Sequence, residues 1–263
     1  MYYYLHDTFL SDKKYEKVLD RIKTALLDLD IQGRHERLNL LKSVEELVTD
    51  EIKRGAHTII VLGNDKTFLK VMEVVARNKV TLGIIPIGPD NALAESLGVP
   101  KDELQACETI AARKIVNFDL GRANEQYFFS HLKIIKNLNR LTVHKDKYKI
   151  TPKQNCSEID IYNYYYPPKV EDEDPAMRTS GAQDRRLELV IRSLPQKKSW
   201  FAKKGERAVI DTVIKGENFK IKSFEYLPVL LDDFKVIKTP VSVDLATEKL
   251  KVIVGKLRRE NIQ

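Results

Sequence analysis

The chain reads TIIVLGNDKTF from Thr58 to Phe68 and TLGIIPIGPDNALA from Thr81 to Ala94. Each segment opens with a run of β-branched and aliphatic residues, which is typical of a strand covered on both faces. Each run ends in Gly, Asn, Asp or Pro, the residues of a tight turn, and a helix is predicted to follow. Repeated units of strand, turn and helix predict a parallel, doubly wound α/β sheet.

The residues upstream extend this pattern. We predict a strand at Tyr2–Leu5, then a helix whose pattern Gly33 breaks, then a second short strand at Leu38–Leu41. Ser43–Glu46 has the spacing of a capping box, which predicts the start of another helix. Gly55 is expected to end that helix as a C-cap residue.

The sequence changes character after Gly121. Strand-like runs follow without long helices between them, which predicts a second, mostly antiparallel domain. We therefore expect an α/β domain at 1–121 and a second domain at 122–249, with the tail at about 250–263 as a candidate to return to the first domain. The predicted strands of the second domain are Tyr127–Ile135, Leu141–Ile150, Glu158–Tyr166, Arg186–Leu194, Ala208–Ile214, Phe219–Phe224 and Leu227–Leu231.

Composition limits the class of protein. The chain has 263 residues, 43% of them hydrophobic, which is enough for one large or two modest domains. It has no apolar run approaching the roughly 18 residues of a membrane span, and no N-terminal signal pattern. Cys107 and Cys156 lack the spacing of a metal site, so we expect two reduced thiols. These features predict a soluble, cytoplasmic protein.

The formal net charge of +7 favours a polyanionic partner, namely nucleic acid, anionic lipid headgroups or phosphorylated metabolites. The densest basic segment, Lys197–Lys204, interleaves lysines with aromatic residues, as membrane surfaces and single-stranded nucleic acids require. We favour a solvated loop there, and another at the acidic run Glu171–Asp174. The five histidines show no metal-ligand spacing, and we assign none of them to chemistry.

Ligands of doubly wound sheets bind beyond the carboxyl ends of the strands. Two turns lie there: the first turn, Gly63–Thr67, and the second turn, Pro86–Asn91. At the first turn a phosphate would meet backbone N–H groups, the positive end of a helix dipole, the Lys66 ammonium and the Thr67 hydroxyl. Asn91 in the second turn either caps the next helix or holds a ligand.

The two turns together resemble the diacylglycerol kinase catalytic family, including the bacterial soluble lipid kinases. That family has Gly-Gly-Asp-Gly-Thr at the first turn and Pro-x-Gly-Thr-x-Asn-x-x-Ala at the second. Asn117–Arg122 is similar to the family's segment leaving the first domain, and Asp184 with Leu187–Leu189 resembles its Asp-Gly-x-Leu-Asp strand. Leu230–Phe234 stands where the family has an Asp-Gly-Glu turn.

The resemblance implies an α/β domain like that of NAD kinase plus a β-sandwich domain. It also implies ATP and Mg²⁺ in the cleft and transfer of the γ-phosphoryl group to a lipid hydroxyl, such as that of diacylglycerol. Asp184 takes the place of a general base, and no metal ligands are assigned. The surface of an anionic membrane is a candidate partner, no nucleic acid is expected, and the oligomeric state is open. The cofactor-binding residues that carry over are Gly63, Asp65, Thr67, Gly88 and Asn91. Asn64 and Lys66 of the first turn complete the predicted cofactor-binding set.

The chain departs from the family pattern at several positions. Asn64 and Lys66 replace two glycines, which removes positions expected to tolerate a positive φ. Pro89 replaces a threonine, Arg185 replaces the glycine after Asp184, and Phe234 stands where a carboxylate is expected. The turn after the first strand, His6-Asp7-Thr8, lacks the family's Asn-Pro-x-Ser-Gly pattern.

Two functions are therefore weighed: an active lipid kinase, and a catalytically impaired protein that binds nucleotide or lipid on the same fold. An NAD kinase shares the first turn but not the second. A nucleic-acid-binding protein would rest on Lys197–Lys204 and the Arg258-Arg259 tail alone. The kinase interpretation is favoured because the chain retains Asp65, Thr67, Asn91 and Asp184.

Overall fold

The computed structural model describes residues 1–39, 42–166, 183–194 and 209–256, with the backbone alone for 209–211. These residues divide into two compact units. The first unit contains Met1–Phe118, Tyr166 and the C-terminal segment that begins at Glu248. The second contains Asp119–Tyr165 and the other described residues as far as Thr247.

The first unit is an α/β domain built on one sheet. Its six strands lie in the order β2-β1-β3-β4-β18-β5, and neighbours are parallel except for the antiparallel pair of β18 and β5. The strands are β1 Tyr2–His6, β2 Gly33–Arg37, β3 Thr58–Gly63, β4 Thr81–Pro86, β5 Ile115–Phe118 and β18 Leu250–Ile253. The helices are α1 Glu16–Asp28, α2 Val44–Lys53, α3 Asp65–Arg77, α4 Ala92–Ser96 and α5 Glu103–Ala112.

The sequence patterns of this unit are confirmed for β1, β3, β4 and the helix after each turn. Every residue of β3 and β4 is buried, as expected of strands covered on both faces. The capping box at Ser43 is present, because the Ser43 hydroxyl accepts the Glu46 N–H and the Glu46 carboxylate accepts the Ser43 N–H. Gly55 follows α2 with a φ of 96°.

The prediction of a strand at Leu38–Leu41 is wrong in position. The strand is Gly33–Arg37, which pairs in parallel with Tyr2–His6. The first residue of this strand has to be glycine, because a Cβ at Gly33 would come within 2.2 Å of the Tyr2 carbonyl oxygen. Leu38 follows the strand and donates its N–H to the His6 carbonyl; residues 40–41 lie outside the described part of the chain.

The second unit is a β-sandwich of two six-stranded sheets, in the orders β10-β9-β14-β17-β6-β7 and β13-β12-β11-β8-β15-β16. Both sheets contribute to one core, which contains Val143 and Phe219 from the first sheet and Ile159 and Leu189 from the second. The strands are β6 Gly121–Ala123, β7 Gln126–Phe128, β8 His131–Ile134, β9 Leu141–Lys145, β10 Tyr148–Ile150, β11 Cys156–Tyr162, β12 Leu187–Ser193, β13 Val209–Gly216, β14 Asn218–Ser223, β15 Pro228–Leu231, β16 Lys235–Lys238 and β17 Val241–Leu245.

Two predicted strands of this unit are each divided in the structure. The run Tyr127–Ile135 becomes β7 and β8, because the N–H groups of Phe129, Ser130 and His131 bind a side chain instead of continuing one ladder. The run Leu141–Ile150 becomes the hairpin of β9 and β10, which turns at Asp146 with a φ of 53°. Periodicity alone does not reveal either interruption.

Other predictions concern single residues and segments. Cys107 and Cys156 are free thiols, on α5 and at the start of β11. Among the described residues, no helix is long and apolar enough to cross a membrane. The basic segment Lys197–Lys204, the acidic run Glu171–Asp174 and the tail arginines lie outside the described residues.

Candidate functional site

The carboxyl ends of β1, β3 and β4 form one edge of the parallel sheet, because His6 pairs with Leu62 and Gly63 with Pro86. Backbone hydrogen bonds extend this alignment beyond the strands. The Asp7 N–H donates to the Leu62 carbonyl over 2.9 Å, and the Ile87 N–H donates to the Gly63 carbonyl over 2.8 Å. The first and second turns therefore lie beside the residue that follows β1.

The first turn leads into α3 through Asn64, whose side-chain oxygen accepts the Thr67 N–H over 3.3 Å and caps the helix. The expectation that the two lost glycines remove positive-φ positions is wrong. Asn64 is extended, with a φ of −111°, and Lys66 lies in the first turn of α3. Neither backbone position is strained, so the two substitutions change chemistry and not chain conformation.

Asp65 joins the two turns. Its carboxylate accepts the N–H groups of Leu93 over 2.7 Å and Ala94 over 3.0 Å, which are the first turn of α4, and its own N–H donates to the Asp90 carbonyl over 3.1 Å. Of the two alternatives for Asn91, the structure excludes capping of α4 by its side chain, because Asn91 makes no side-chain cap and Asp65 does so from another segment. Asp65 is a buried structural link between the turns.

Burial raises the pKa of the Asp65 carboxyl from 3.8 to about 6, although the Leu93 and Ala94 N–H groups oppose the shift. A carboxyl with a raised pKa stabilises the folded state fully below pH 3.8, and that contribution is lost as the pH rises through about 6. The shift amounts to about 3 kcal/mol. The stability of Asp65→Asn relative to the wild-type chain should therefore rise by up to about 3 kcal/mol from pH 4 to pH 6, on top of a pH-independent loss, because the asparagine NH₂ group would face one of the two backbone donors.

Urea unfolding of both proteins across that pH range measures this difference. Other groups that titrate in the same range, such as His6 with a pKa lowered to about 4 by burial, are present in both proteins and cancel. A stability difference that does not change with pH would show that the Asp65 carboxyl is not responsible.

The second turn contains an acceptor that no described residue binds. The Asn91 side chain donates from Nδ2 to the Gly88 carbonyl over 2.7 Å, while its buried Oδ1 has no hydrogen-bond partner among the described residues. Gly88 has a φ of 83°, which favours glycine, and a Cβ there would lie 3.3 Å from the Phe9 ring. The Asn91 oxygen thus marks a place where a ligand could donate a hydrogen bond.

Asp7, which follows β1, contacts the first turn, and sequence reasoning missed this contact. Its carboxylate accepts a hydrogen bond from the Thr67 hydroxyl, and its Cβ lies 3.0 Å from the point where a Cβ at Gly63 would stand. Thr67 was predicted to donate to a phosphate, and here it donates to Asp7. The departure of His6-Asp7-Thr8 from the family pattern was a partial signal of this contact.

Lys66 provides the positive charge of the first turn. Its ammonium group is exposed, and no hydrogen bond or ion pair to it is found within the described residues. The N–H groups of Asp65 and Thr67 are already bound to Asp90 and Asn64. A phosphate at this turn would therefore rely on Lys66 and the dipole of α3 rather than on the Asp65 and Thr67 amides.

The predicted base, Asp184, lies in the second unit, in the segment that leads into β12. Its exposed carboxylate accepts the Arg186 N–H over 3.0 Å. Arg185, in place of the family's glycine, has a φ of 55°, so this position does require the left-handed backbone. The Arg185 N–H donates to the buried Asp119 carboxylate over 3.1 Å, which fixes the turn.

A polar cluster surrounds Asp119 in the same unit. The Asn163 side chain donates from Nδ2 to the carbonyls of Asp119 and Phe129 over 2.8 and 2.7 Å, and its buried Oδ1 has no partner within the part of the chain that the structure describes. His131 contacts Asp233 over 3.3 Å, which lowers the pKa of the Asp233 carboxyl. Sequence reasoning missed Asn163 because nothing in its neighbourhood distinguishes it from an ordinary strand-end residue.

Residues 9–123, which contain both turns, match the family model of the diacylglycerol kinase catalytic domain. This segment of the chain is similar to the diacylglycerol kinase catalytic domain. The resemblance carried by the two turns is thereby confirmed, and the matched segment contains every predicted cofactor-binding residue.

Curated relatives share parts of the sequence. The chain is 37% identical over 75 residues to the diacylglycerol kinase of Bacillus subtilis (strain 168), which covers 27% of this chain and 25% of that protein. It is 30% identical over 111 residues to the diacylglycerol kinase of Staphylococcus saprophyticus, covering 40% and 36%. A protein of Klebsiella pneumoniae named probable lipid kinase YegS-like is 22% identical over 124 residues, covering 46% and 40%. These matches span about a quarter to two fifths of the relatives.

Solved structures match over nearly the whole length. A diacylglycerol kinase structure from Bacillus anthracis str. Sterne has a TM-score of 0.75 and 17% identity, with 97% of both chains covered. A structure titled as a putative diacylglycerol kinase from the same strain has a TM-score of 0.74. At this identity the likeness establishes the fold: an α/β domain followed by a β-sandwich.

Proposed function

We propose that this protein is a lipid kinase that transfers the γ-phosphoryl group of ATP to a lipid hydroxyl, such as that of diacylglycerol. The observation that carries the proposal is the assembly of the two turns at one sheet edge. Asp65 binds the second turn from the first, and the buried Asn91 Oδ1 is an acceptor with no partner among the described residues. Names of curated relatives support the same class of reaction.

Residues of the first unit fit a nucleotide in part. Lys66 and the positive end of α3 suit a phosphate, and the Asn91 oxygen suits a hydrogen-bond donor of the ligand. The bound ATP would supply the phosphoryl group. The described residues contain no cluster of three or more His, Cys, Asp or Glu side chains able to hold a metal ion. Mg²⁺ is usually held by one or two carboxylates together with substrate phosphates and water.

Asp184 is the residue proposed to accept the proton of the lipid hydroxyl. Its carboxylate is exposed, and the Arg186 N–H binds one of its oxygens while the other remains available. The neighbouring bond from Arg185 to Asp119 holds the turn, so the carboxylate is presented from a fixed backbone. A positioned base of this kind accelerates proton transfer by about 10² to 10⁴.

Transfer of label from γ-labelled ATP to dispersed diacylglycerol tests the proposal. Asp184→Asn should lower kcat about a hundredfold, at the lower end of that range, because an exposed carboxylate is an ordinary rather than a tuned base. It should leave the thermal unfolding temperature unchanged, since the side chain is not packed. Arg186→Gln is the control, because it keeps the backbone N–H that binds Asp184. Undiminished transfer by Asp184→Asn would remove Asp184 from the reaction.

The second candidate is a protein on the same fold that binds nucleotide or lipid and does not transfer phosphate. The position of the Asp7 carboxylate at the first turn favours it. The Asp7 carboxylate takes the Thr67 hydroxyl that a phosphate would use, and it adds a negative charge to the first turn. Thermal unfolding with and without ATP and Mg²⁺ separates the candidates. Stabilisation with turnover supports the kinase, stabilisation without turnover supports the second candidate, and no stabilisation by any nucleotide contradicts both.

A further inference from the structure

Three large apolar side chains are strongly exposed on neighbouring loops of the β-sandwich unit. Phe224 is 94% exposed, Tyr226 is 78% exposed and Ile135 is 56% exposed. Single exposed apolar residues are ordinary on soluble proteins. Three of them on two loops that contact each other form a local apolar surface, which we name the aromatic loop patch.

The backbone beneath the patch is firmly held. Arg140, in the loop that contains Ile135, forms an ion pair with Glu225, and its carbonyl accepts the Ser223 hydroxyl over 3.3 Å. The Thr239 hydroxyl donates to the Glu225 carbonyl over 3.0 Å and accepts the Leu227 N–H over 2.9 Å. Phe224 and Tyr226 therefore project into solvent from a fixed loop, although side chains of this size usually pack when a core is within reach.

The charges around the patch are positive. Lys136 lies next to Ile135, and Lys222 lies two residues before Phe224; both are exposed, and neither has a carboxylate partner among the described residues. Lys220 continues the same outward face of β14. The acidic residue between the two aromatic side chains, Glu225, is bound to Arg140.

We propose that the aromatic loop patch docks onto the surface of a membrane that contains anionic headgroups. Apolar side chains that enter the headgroup boundary, next to lysines that attract anionic lipid, are the combination that interfacial binding requires. A partner that binds through charge alone would gain no binding energy from an exposed Phe224. A partner that binds through apolar contacts alone would gain none from Lys136 and Lys222. The inference rests on the proposed function in one respect: a lipid kinase has to reach a substrate that lies in a membrane.

Sedimentation with vesicles, without any nucleotide, tests the docking separately from catalysis. The chain should bind vesicles that contain phosphatidylglycerol more tightly than vesicles of phosphatidylcholine alone. Phe224→Ala with Tyr226→Ala should weaken binding to the anionic vesicles at least tenfold, and Lys222→Gln should weaken it less. Tyr148→Ala is the matched control: Tyr148 is 72% exposed but lies at the Lys145 end of β9, away from the patch, and its loss should change nothing.

Undiminished vesicle binding by the double variant, or no vesicle binding by the wild-type chain, would overturn the proposal. So would tighter binding to a single-stranded oligonucleotide that is lost in the double variant. Turnover of a short-chain, dispersed diacylglycerol should be the same for the wild-type chain and the double variant. If that turnover is absent from both while vesicle binding depends on Phe224, the docking stands and the proposed kinase activity fails.

Discussion

Replacing Asp7 with asparagine is expected to raise the affinity of the chain for ATP about a hundredfold. The Asp7 carboxylate lies at the first turn, where it binds the Thr67 hydroxyl and approaches Gly63. Two like charges about 4 Å apart repel by roughly 4 kcal/mol near a protein surface. Salt and the nearby Lys66 reduce this value, so an effect of about 2.7 kcal/mol, or a hundredfold, is expected.

Isothermal titration with ATP, with and without Mg²⁺, measures the change. Asparagine keeps the size of the side chain and can still accept from Thr67, so the turn itself should not move. Asp12→Asn is the control, because Asp12 is an exposed carboxylate that caps the next short helix and has no contact with the first turn.

The sign of the Asp7 effect shows what the carboxylate does at the first turn. A rise in affinity means that the wild-type carboxylate weakens phosphate binding there, and the turnover assay with labelled ATP then separates the two candidates. A fall seen only with Mg²⁺ means that Asp7 binds a cation that bridges to phosphate, as an active kinase would use it. Unchanged affinity under both conditions would show that nucleotide phosphate does not approach Asp7.

Sequence reasoning predicted the features whose causes are local. The buried runs at Thr58 and Thr81 and the turns after them are determined by neighbouring residues, and the structure has them where expected. The contact of Asp7 with Thr67 joins residues 60 positions apart and arises only because β1 pairs with β3. No periodicity in either segment reports which strand lies beside which.

The other errors of prediction arise where a side chain binds backbone groups that are far away in the sequence. Asn91 has the residue type of a helix cap, yet Asp65 occupies that role from 28 residues away. Helix capping preferences describe the residue that precedes a helix and cannot detect a carboxylate that arrives from another turn. The division of the run Tyr127–Ile135 has the same kind of cause, a buried aspartate about a hundred residues downstream.

That aspartate is Asp232, and its replacement with asparagine is expected to destabilise the β-sandwich unit by about 3 to 5 kcal/mol. The buried carboxylate accepts the N–H groups of Phe129 over 2.8 Å, Ser130 over 2.7 Å and His131 over 3.1 Å. Burial raises its pKa, and the three N–H groups oppose that shift. An asparagine has one acceptor oxygen, so its NH₂ group would face a backbone donor.

Asp233→Asn provides a closely matched control for this prediction. Asp232 and Asp233 both have left-handed backbones, with φ of 48° and 60°, which asparagine tolerates, so neither substitution adds backbone strain. The Asp233 side chain is 62% exposed and contacts only His131 over 3.3 Å among the described hydrogen bonds, so its replacement should cost less than about 1 kcal/mol. Urea unfolding followed by circular dichroism measures both. Equal losses of unfolding free energy for the two variants would contradict the prediction. They would show that the surrounding core, rather than the Asp232 carboxylate, holds the junction of β7 and β8.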